Sequence, residues 1–238
     1  MNVLFASEKT EFKLSLAKQL IPLGINLIHV NNLDEVYYTL LVNEKDFIAF
    51  IDDEQYDIKV VLKTIIGLKK EKKGAKIILL TSTSEMQLIR IFLQLGADLV
   101  LQNNLTDETI LKKSFDFIKQ NSPSKMNRFL RINLQKTKNC NVELLADHQR
   151  LFLNGQITDL SMGGIVARFN DSDLILISKD RQFPNSRLTL ENKMIKADLK
   201  LFKVGDEQAV FGFNKIRFAF QNTLSEYIYR KSQNLLDL

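Results

Sequence analysis

Ile157-Thr158-Asp159-Leu160-Ser161-Met162-Gly163-Gly164-Ile165-Val166-Ala167-Arg168-Phe169 is apolar and β-branched on both sides of a polar interruption. That pattern argues for a strand entering and a strand leaving. Asp159 and Ser161 are two apart, so in extended backbone their side chains share one face and can grip one ligand edge. The pair Gly163-Gly164 removes two side chains, which in strand sequence marks a bulge or a close approach to the backbone. A plainer reading makes the same residues a hairpin turn, with Asp159 and Ser161 satisfying local backbone groups.

Around this stretch the second half of the chain breaks into short runs: Phe129 to Leu134, Val142 to Leu145, Leu151 to Leu153, Ile165 to Phe169, Leu174 to Ile177, Leu188 to Leu190, Ile195 to Val204 and Ala209 to Phe220. Asn154-Gly155, Pro184-Asn185 and Gly205-Asp206 read as the turns between them. Many short, closely spaced strands indicate a sandwich or barrel. Leu224, Ile228, Leu235 and Leu236 recur at helical spacing in a closing helix from Thr223. Asn121-Ser122-Pro123-Ser124 sets the boundary, because proline disfavours helix in the residue before it. The domains are therefore 1–121 and 122–238.

Just ahead of the barrel lies Lys125-Met126-Asn127-Arg128-Phe129-Leu130-Arg131. Together with Asp159, Ser161 and Gly164, this segment resembles the PilZ domain, a small β-barrel family that binds the bacterial second messenger cyclic di-GMP. The family has an Arg-x-x-x-Arg segment before the barrel and an Asp/Asn-x-Ser-x-x-Gly motif on an early strand. The second motif is complete here. With Arg131 as the second arginine, the first position falls on Asn127, and Arg128 comes one residue late. Three outcomes are consistent with that shift: Arg128 or Lys125 substitutes, Asn127 gives weak binding, or the ligand is lost and a scaffold kept. The resemblance implies a cyclic di-GMP site of Lys125, Asn127, Arg128, Arg131, Asp159, Ser161, Gly163 and Gly164. Guanidinium groups suit such a ligand twice, pairing with phosphate and stacking on purine.

The first half alternates strand and helix. Val3 to Ser7, Asn26 to Val30, Phe47 to Ile51, Lys76 to Thr81 and Leu99 to Leu101 are strand-like, the third and fourth continuously apolar. Between them Phe12, Leu16, Leu20 and Leu23, then Leu33, Val36, Tyr37, Leu40 and Leu41, recur at helical spacing. Val60, Leu62, Ile65, Ile66 and Leu68 supply a third helix, Met86, Ile89, Ile91, Phe92, Leu93 and Leu95 a fourth, and Thr106 caps a fifth. Five such units predict a doubly wound α/β parallel sheet covered on both faces.

This half resembles a two-component receiver domain. Asp52 matches the family's phosphorylated aspartate, Thr81 its hydroxyl position, and Gly96-Ala97-Asp98 a string before the fifth strand. Ser7-Glu8 stands where the family has two acidic residues for a divalent cation, and Asn103-Asn104 where it has a lysine. A hard cation wants several oxygen ligands, and the transferring phosphoryl group loses two stabilisers. The resemblance therefore implies a degenerate pocket of Glu8, Asp52, Thr81 and Asn103, suited to protein contact more than to accepting phosphate. A bland reading has Asp52-Asp53 merely solvating a turn.

Composition bounds the function. The 238 residues carry 33 basic and 28 acidic side chains, net +5, which favours any anionic partner. The basic residues are scattered, with no interleaved aromatics, so nucleic acid is not expected as a partner. One cysteine, Cys140, excludes an internal disulfide, and the two histidines, His29 and His148, form no metal cluster, so no metal is expected. No apolar run reaches a membrane span and no secretory signal precedes Val3, so a cytoplasmic location without membrane insertion is expected. No nucleophile–base pair or phosphate-binding loop is evident, so no enzyme is expected. The combined expectation is a signalling adaptor binding cyclic di-GMP and contacting an unidentified protein partner, which the PilZ resemblance implies belongs to motility or surface-attachment machinery. The alternatives are a ligand-free scaffold or a response regulator phosphorylated at Asp52.

Overall fold

The computed structural model describes residues 1–42, 47–72, 74–122, 129–146, 151–178 and 182–233. The chain divides into two compact units, Met1–Asn127 and Arg128–Leu238.

The first unit is a five-stranded sheet of β1 (Asn2–Ala6), β2 (Asn26–His29), β3 (Phe47–Asp52), β4 (Lys76–Thr81) and β5 (Leu99–Gln102), in the order β2-β1-β3-β4-β5. Every pairing is parallel. This is the doubly wound order in which ligands gather at the carboxyl ends of the central strands. Helices α1 (Thr10–Leu20), α2 (Leu33–Val42), α3 (Ile58–Glu71), α4 (Met86–Leu95) and α5 (Asp107–Gln120) follow the strands. All six residues of β3 are buried, as expected of a parallel strand covered on both faces. Phe5 stacks on Phe50 with ring centroids 4.6 Å apart, and Phe12 closes the cluster. The Thr106 hydroxyl accepts from the Thr109 N–H and caps α5 as the sequence implies.

Two helical faces differ from expectation. In α3 the buried stripe is Val61, Ile65 and Leu68, while Val60 and Ile66 are exposed. In α4 Phe92 is buried, while Met86, Ile91 and Leu93 are exposed. Each segment holds more apolar residues than one face accommodates. Spacing of four and three selects which of them turn inward.

The second unit contains β6 (Ile132–Asn133), β7 (Cys140–Ala146), β8 (Leu151–Ser161), β9 (Gly164–Arg168), α6 (Asp171–Ile177), β10 (Gln182–Leu190), β11 (Lys193–Val204), β12 (Gln208–Ile216) and α7 (Phe218–Gln233). Six antiparallel strands close a ring in the order β8-β7-β10-β11-β12-β9, sealed by the β8–β9 pairing, and β6 adds beside β8. Closure leaves the ring without free strand edges. Phe183 and Phe211 meet edge-on inside it, ring centroids 5.7 Å apart.

Four local expectations are corrected. Leu174 to Ile177 is helical, because Asn170 caps the segment by accepting from the Asp173 N–H, and Asp171 and Asp173 load its first turn. Asn154-Gly155 is not a turn: β8 runs through it, opposite Glu143 and Val142. A Cβ at Gly155 would come within 2.5 Å of the Phe169 ring, so this glycine makes room for an aromatic. Pro184-Asn185 is a bulge in β10 between Phe183 and Ser186, with Asn185 at φ 53°. The last strand ends at Ile216, and Phe218 to Phe220 already belong to α7. Leu235, Leu236 and His148 lie outside the described residues. Cys140 is buried, its Sγ 3.4 Å from the Tyr227 hydroxyl on α7.

Candidate functional site

The barrel site is shaped by one extra residue. In β8, Leu153, Gly155 and Ile157 point inward, and continued alternation would bring Asp159 and Ser161 inward too. A bulge between Ile157 and Asp159 shifts the register against β9. Thr158 is the inserted residue, buried, its hydroxyl donating to the Val166 carbonyl at 3.2 Å. Leu160 then takes the inward place, and Asp159 and Ser161 turn to the outer face.

Beside them runs β6. Ile132 pairs with Leu160 and Asn133 with Asp159, and Ile132 is fully buried, so Arg131 rises on the outer face. Its Nη2 lies 2.9 Å from Asp159 Oδ2, with 61% of the arginine side chain still exposed. Phe129 lies against the next turn, where a Cβ on Gly163 would come within 2.8 Å of its ring. The turn is a two-residue hairpin, Met162-Gly163, between the paired Ser161 and Gly164. Ser161 Oγ accepts from the Gly163 N–H at 3.2 Å and donates to the Gly164 carbonyl at 3.3 Å. For Ser161 the plain hairpin reading therefore describes its present bonds.

Gly164 occupies a tight crossing. A Cβ there would overlap the Phe211 carbonyl oxygen and lie 2.9 Å from Gly212 Cα. The space at Gly164 is thus taken by the neighbouring strand β12. Arg131, Asp159, Ser161, Gly163, Gly164, Val166, Val210 and Phe202 line a groove of about 200 Å³ on the outer face. Phe202 was missed from sequence. It is the bulged residue of β11, 68% exposed, and its ring lies over Gly212. An exposed aromatic beside a glycine on the neighbouring strand is the signal that could have found it. Lys125, Asn127 and Arg128 lie outside the described residues.

The second candidate pocket lies at the carboxyl ends of β1, β3, β4 and β5. Asp52 ends β3 and is fully buried; it accepts from Ser7 Oγ at 2.9 Å and from the Glu54 N–H at 3.2 Å. Thr81 donates to Asp53, not to Asp52. Asp53 also accepts from the Ser82 N–H at 3.0 Å. Burial pushes the Asp53 carboxyl above the usual range, against the pull of those two donors, and the neighbouring Asp52 and Glu54 charges add to the rise. Asn103 donates to Glu54 at 3.2 Å and accepts from Lys9 Nζ at 2.8 Å. Glu8 is exposed, and the contacts toward Asp52 come from its neighbours Ser7 and Lys9. Lys9 also was missed: a lysine after a strand reads as surface, and its partners are distant in sequence. These residues do not fit the divalent cation that a receiver resemblance implies. Ser7 turns a hydroxyl hydrogen, and Lys9 an ammonium, toward the carboxylate a metal would use.

A five-stranded parallel α/β unit and a closed six-stranded antiparallel barrel with a terminal helix define the class of protein. Among solved structures the chain is similar to the PilZ domain with c-di-GMP of YcgR from Escherichia coli, at 13% identity and TM-score 0.42, over 48% of this chain and 96% of that one. It is also similar to a response regulator from Thermotoga maritima, at 20% identity and TM-score 0.42, over 50% of this chain and 97% of that one. A CheY-like receiver domain protein from Methanospirillum hungatei matches at 17% identity and TM-score 0.41, over 50% and 94%. A scan against protein-family models finds no match. A search of curated proteins finds none either.

Proposed function

We propose that this chain is a cytoplasmic, non-catalytic signalling adaptor whose barrel binds cyclic di-GMP in the outer groove and whose α/β unit contacts a protein partner. The observation that carries the reading is the pairing of Arg131 with Asp159 at the groove's rim. A guanidinium there serves a phosphate in bidentate fashion or stacks on a purine, while the carboxylate accepts from a guanine edge. Phe202 offers a face for base stacking. At about 200 Å³ the groove falls below the usual range for a drug-sized ligand. It suits one guanine with its phosphate, the remainder of the dinucleotide lying over the open face. Lys125, Asn127 and Arg128, which lie outside the described residues, are proposed as further contacts to the ligand.

Calorimetric titration with cyclic di-GMP tests the reading. Arg131→Ala and Asp159→Ala should each weaken binding by at least about 1.5 kcal/mol, the scale of one charge-assisted hydrogen bond. Unchanged affinity in both variants would mean the pocket lies elsewhere. The local bonding of Ser161 favours the second reading, a scaffold that binds no ligand. Absence of binding at high micromolar ligand would select it. For either reading we propose a protein partner in motility or surface-attachment machinery, the usual setting of the family the barrel's motif resembles, with neither nucleic acid nor membrane insertion involved. No helix among the described residues is long and apolar enough to cross a membrane. The contacts of Lys9 and Ser7 argue against phosphorylation of Asp52, which intact-mass measurement after incubation with magnesium and a small phosphodonor checks.

A further inference from the structure

We infer that the Lys9 ammonium is the resident cation of the Asp52 pocket and that it keeps a divalent ion out. Lys9 Nζ lies 2.8 Å from Asn103 Oδ1, 3.8 Å from Glu54 Oε2 and 4.0 Å from Asp52 Oδ2. These oxygens come from the end of β3 with the turn that directly follows it and from the segment after β5, so two separate parts of the chain converge on one nitrogen. Asn103 is held at both ends of its amide, accepting from Lys9 and donating to Glu54. Ser7 completes the set by donating to the Asp52 oxygen that faces Lys9.

A surface lysine usually swings in water with no fixed partner. Lys9 is different because its side chain is only 32% exposed and its head sits among a buried carboxylate, a second carboxylate and an oriented amide. Asn103 brings no cation from beyond β5, and Lys9 brings one from beyond β1. A divalent ion placed among the same oxygens would stand within a few ångströms of the ammonium. The ammonium thus takes the place that a divalent ion would need among these oxygens, and the pocket offers a phosphodonor no bound divalent ion. The inference concerns the α/β unit alone and stands whether or not the barrel binds a dinucleotide.

The test uses the full chain as wild type, Lys9→Met, Lys9→Arg and Lys112→Met, titrated with Mn²⁺ by calorimetry and melted with and without millimolar Mg²⁺. Methionine keeps much of the side-chain length and removes the charge. Wild type and Lys9→Arg should give no specific Mn²⁺ binding and no melting shift with Mg²⁺. Lys9→Met should bind Mn²⁺ at least about tenfold more tightly than the detection limit that wild type fails to reach, the effect of removing one charge at close range. Lys112→Met carries the same change in net charge at an exposed position of α5 and should behave as wild type. Equal Mn²⁺ affinity in wild type and Lys9→Met, no binding to either, or an equal gain in Lys112→Met would each overturn the inference. Should Lys9→Met fail to fold, specific Mn²⁺ binding by wild type or by Lys9→Arg would still overturn it.

Discussion

Gly164→Ala separates two roles that one glycine can play. If Gly164 leaves room for a ligand, alanine should weaken binding and leave the free protein stable. The structure gives it another task, since its would-be Cβ overlaps the Phe211 carbonyl and presses on Gly212 Cα at 2.9 Å. Every obstructing atom is backbone, so no side chain can swing aside. The conformation itself is open to alanine, because the glycines with positive φ among the described residues are Gly24 and Gly96. Strands β9 and β12 must part at the Gly164–Gly212 pair, one of the ring's seams. Overpacking of this kind costs about 1–3 kcal/mol, and one or two lost ladder bonds add about 1 kcal/mol each. The lower chain entropy of alanine returns roughly 0.4–1 kcal/mol. The expected net loss is therefore about 3 kcal/mol, a large part of a typical domain's stability. Hydrogen exchange across a urea series reads it directly: peptides from β9 and β12 should open at lower urea, while peptides from β1 to β5 serve as the internal reference. Destabilisation below about 0.5 kcal/mol, within the range of an ordinary surface change, would refute the steric argument and return Gly164 to a ligand role.

The remaining predictions concern single side chains. Burial alone would raise the Asp98 carboxyl, but bonds from Lys69, the Ile77 N–H and Lys76 outweigh it and hold it below the usual range. With the folded value depressed, its stabilisation is present above the unfolded carboxylate range near 4 and is lost as pH falls through the folded value. Asp98→Asn should cost about 2 kcal/mol near neutrality, and the gap to wild type should narrow in acid melts as the carboxylate is protonated; a gap that stays constant as pH falls would contradict this. Phe202→Ala should weaken cyclic di-GMP binding by about 1–2 kcal/mol, the scale of one stacked base, while leaving the melting temperature nearly unchanged because the ring is 68% exposed. Equal affinity with and without the ring would remove Phe202 from the proposed site.

What could be read in advance depended on how local the cause was. The buried strands β3 and β4 declared themselves, because parallel strands covered on both faces must be apolar throughout. The five strand–helix units and the Asp159–Ser161 shared face followed from the same periodicities. Which face those two residues took did not follow. It depends on the bulge at Thr158, and nothing in Ile157-Thr158-Asp159 marks an inserted residue. The Asn154-Gly155 signal failed for a tertiary reason, the ring of Phe169 requiring a missing Cβ on the strand beneath it. Leu174 to Ile177 failed through weighing the apolar run above the Asn170 cap that precedes it. Lys9 was beyond local reading, since its partners are supplied by the fold.

The two sides of the proposed dinucleotide site differ in how they are held. Asp159 and Ser161 are locked by the β8–β9 ladder, and the turn between them and Gly164 is pinned from three directions. Met162 is buried with its Sδ accepting from Ser225 on α7 at 3.6 Å, the Gly163 carbonyl accepts from the Phe213 N–H at 3.0 Å, and Phe129 covers Gly163. This side is pre-organised, so little ordering cost falls on it when a ligand arrives. Among the described residues Arg131 is tied by one ion pair and is mostly exposed, and such a pair is worth only about 0–1 kcal/mol. A phosphate can therefore draw the guanidinium from Asp159 at small cost, freeing the carboxylate for a guanine edge in the same step. The Arg131–Asp159 pair is thus suited to hold both groups near their working positions until a ligand carrying phosphate and guanine together separates them.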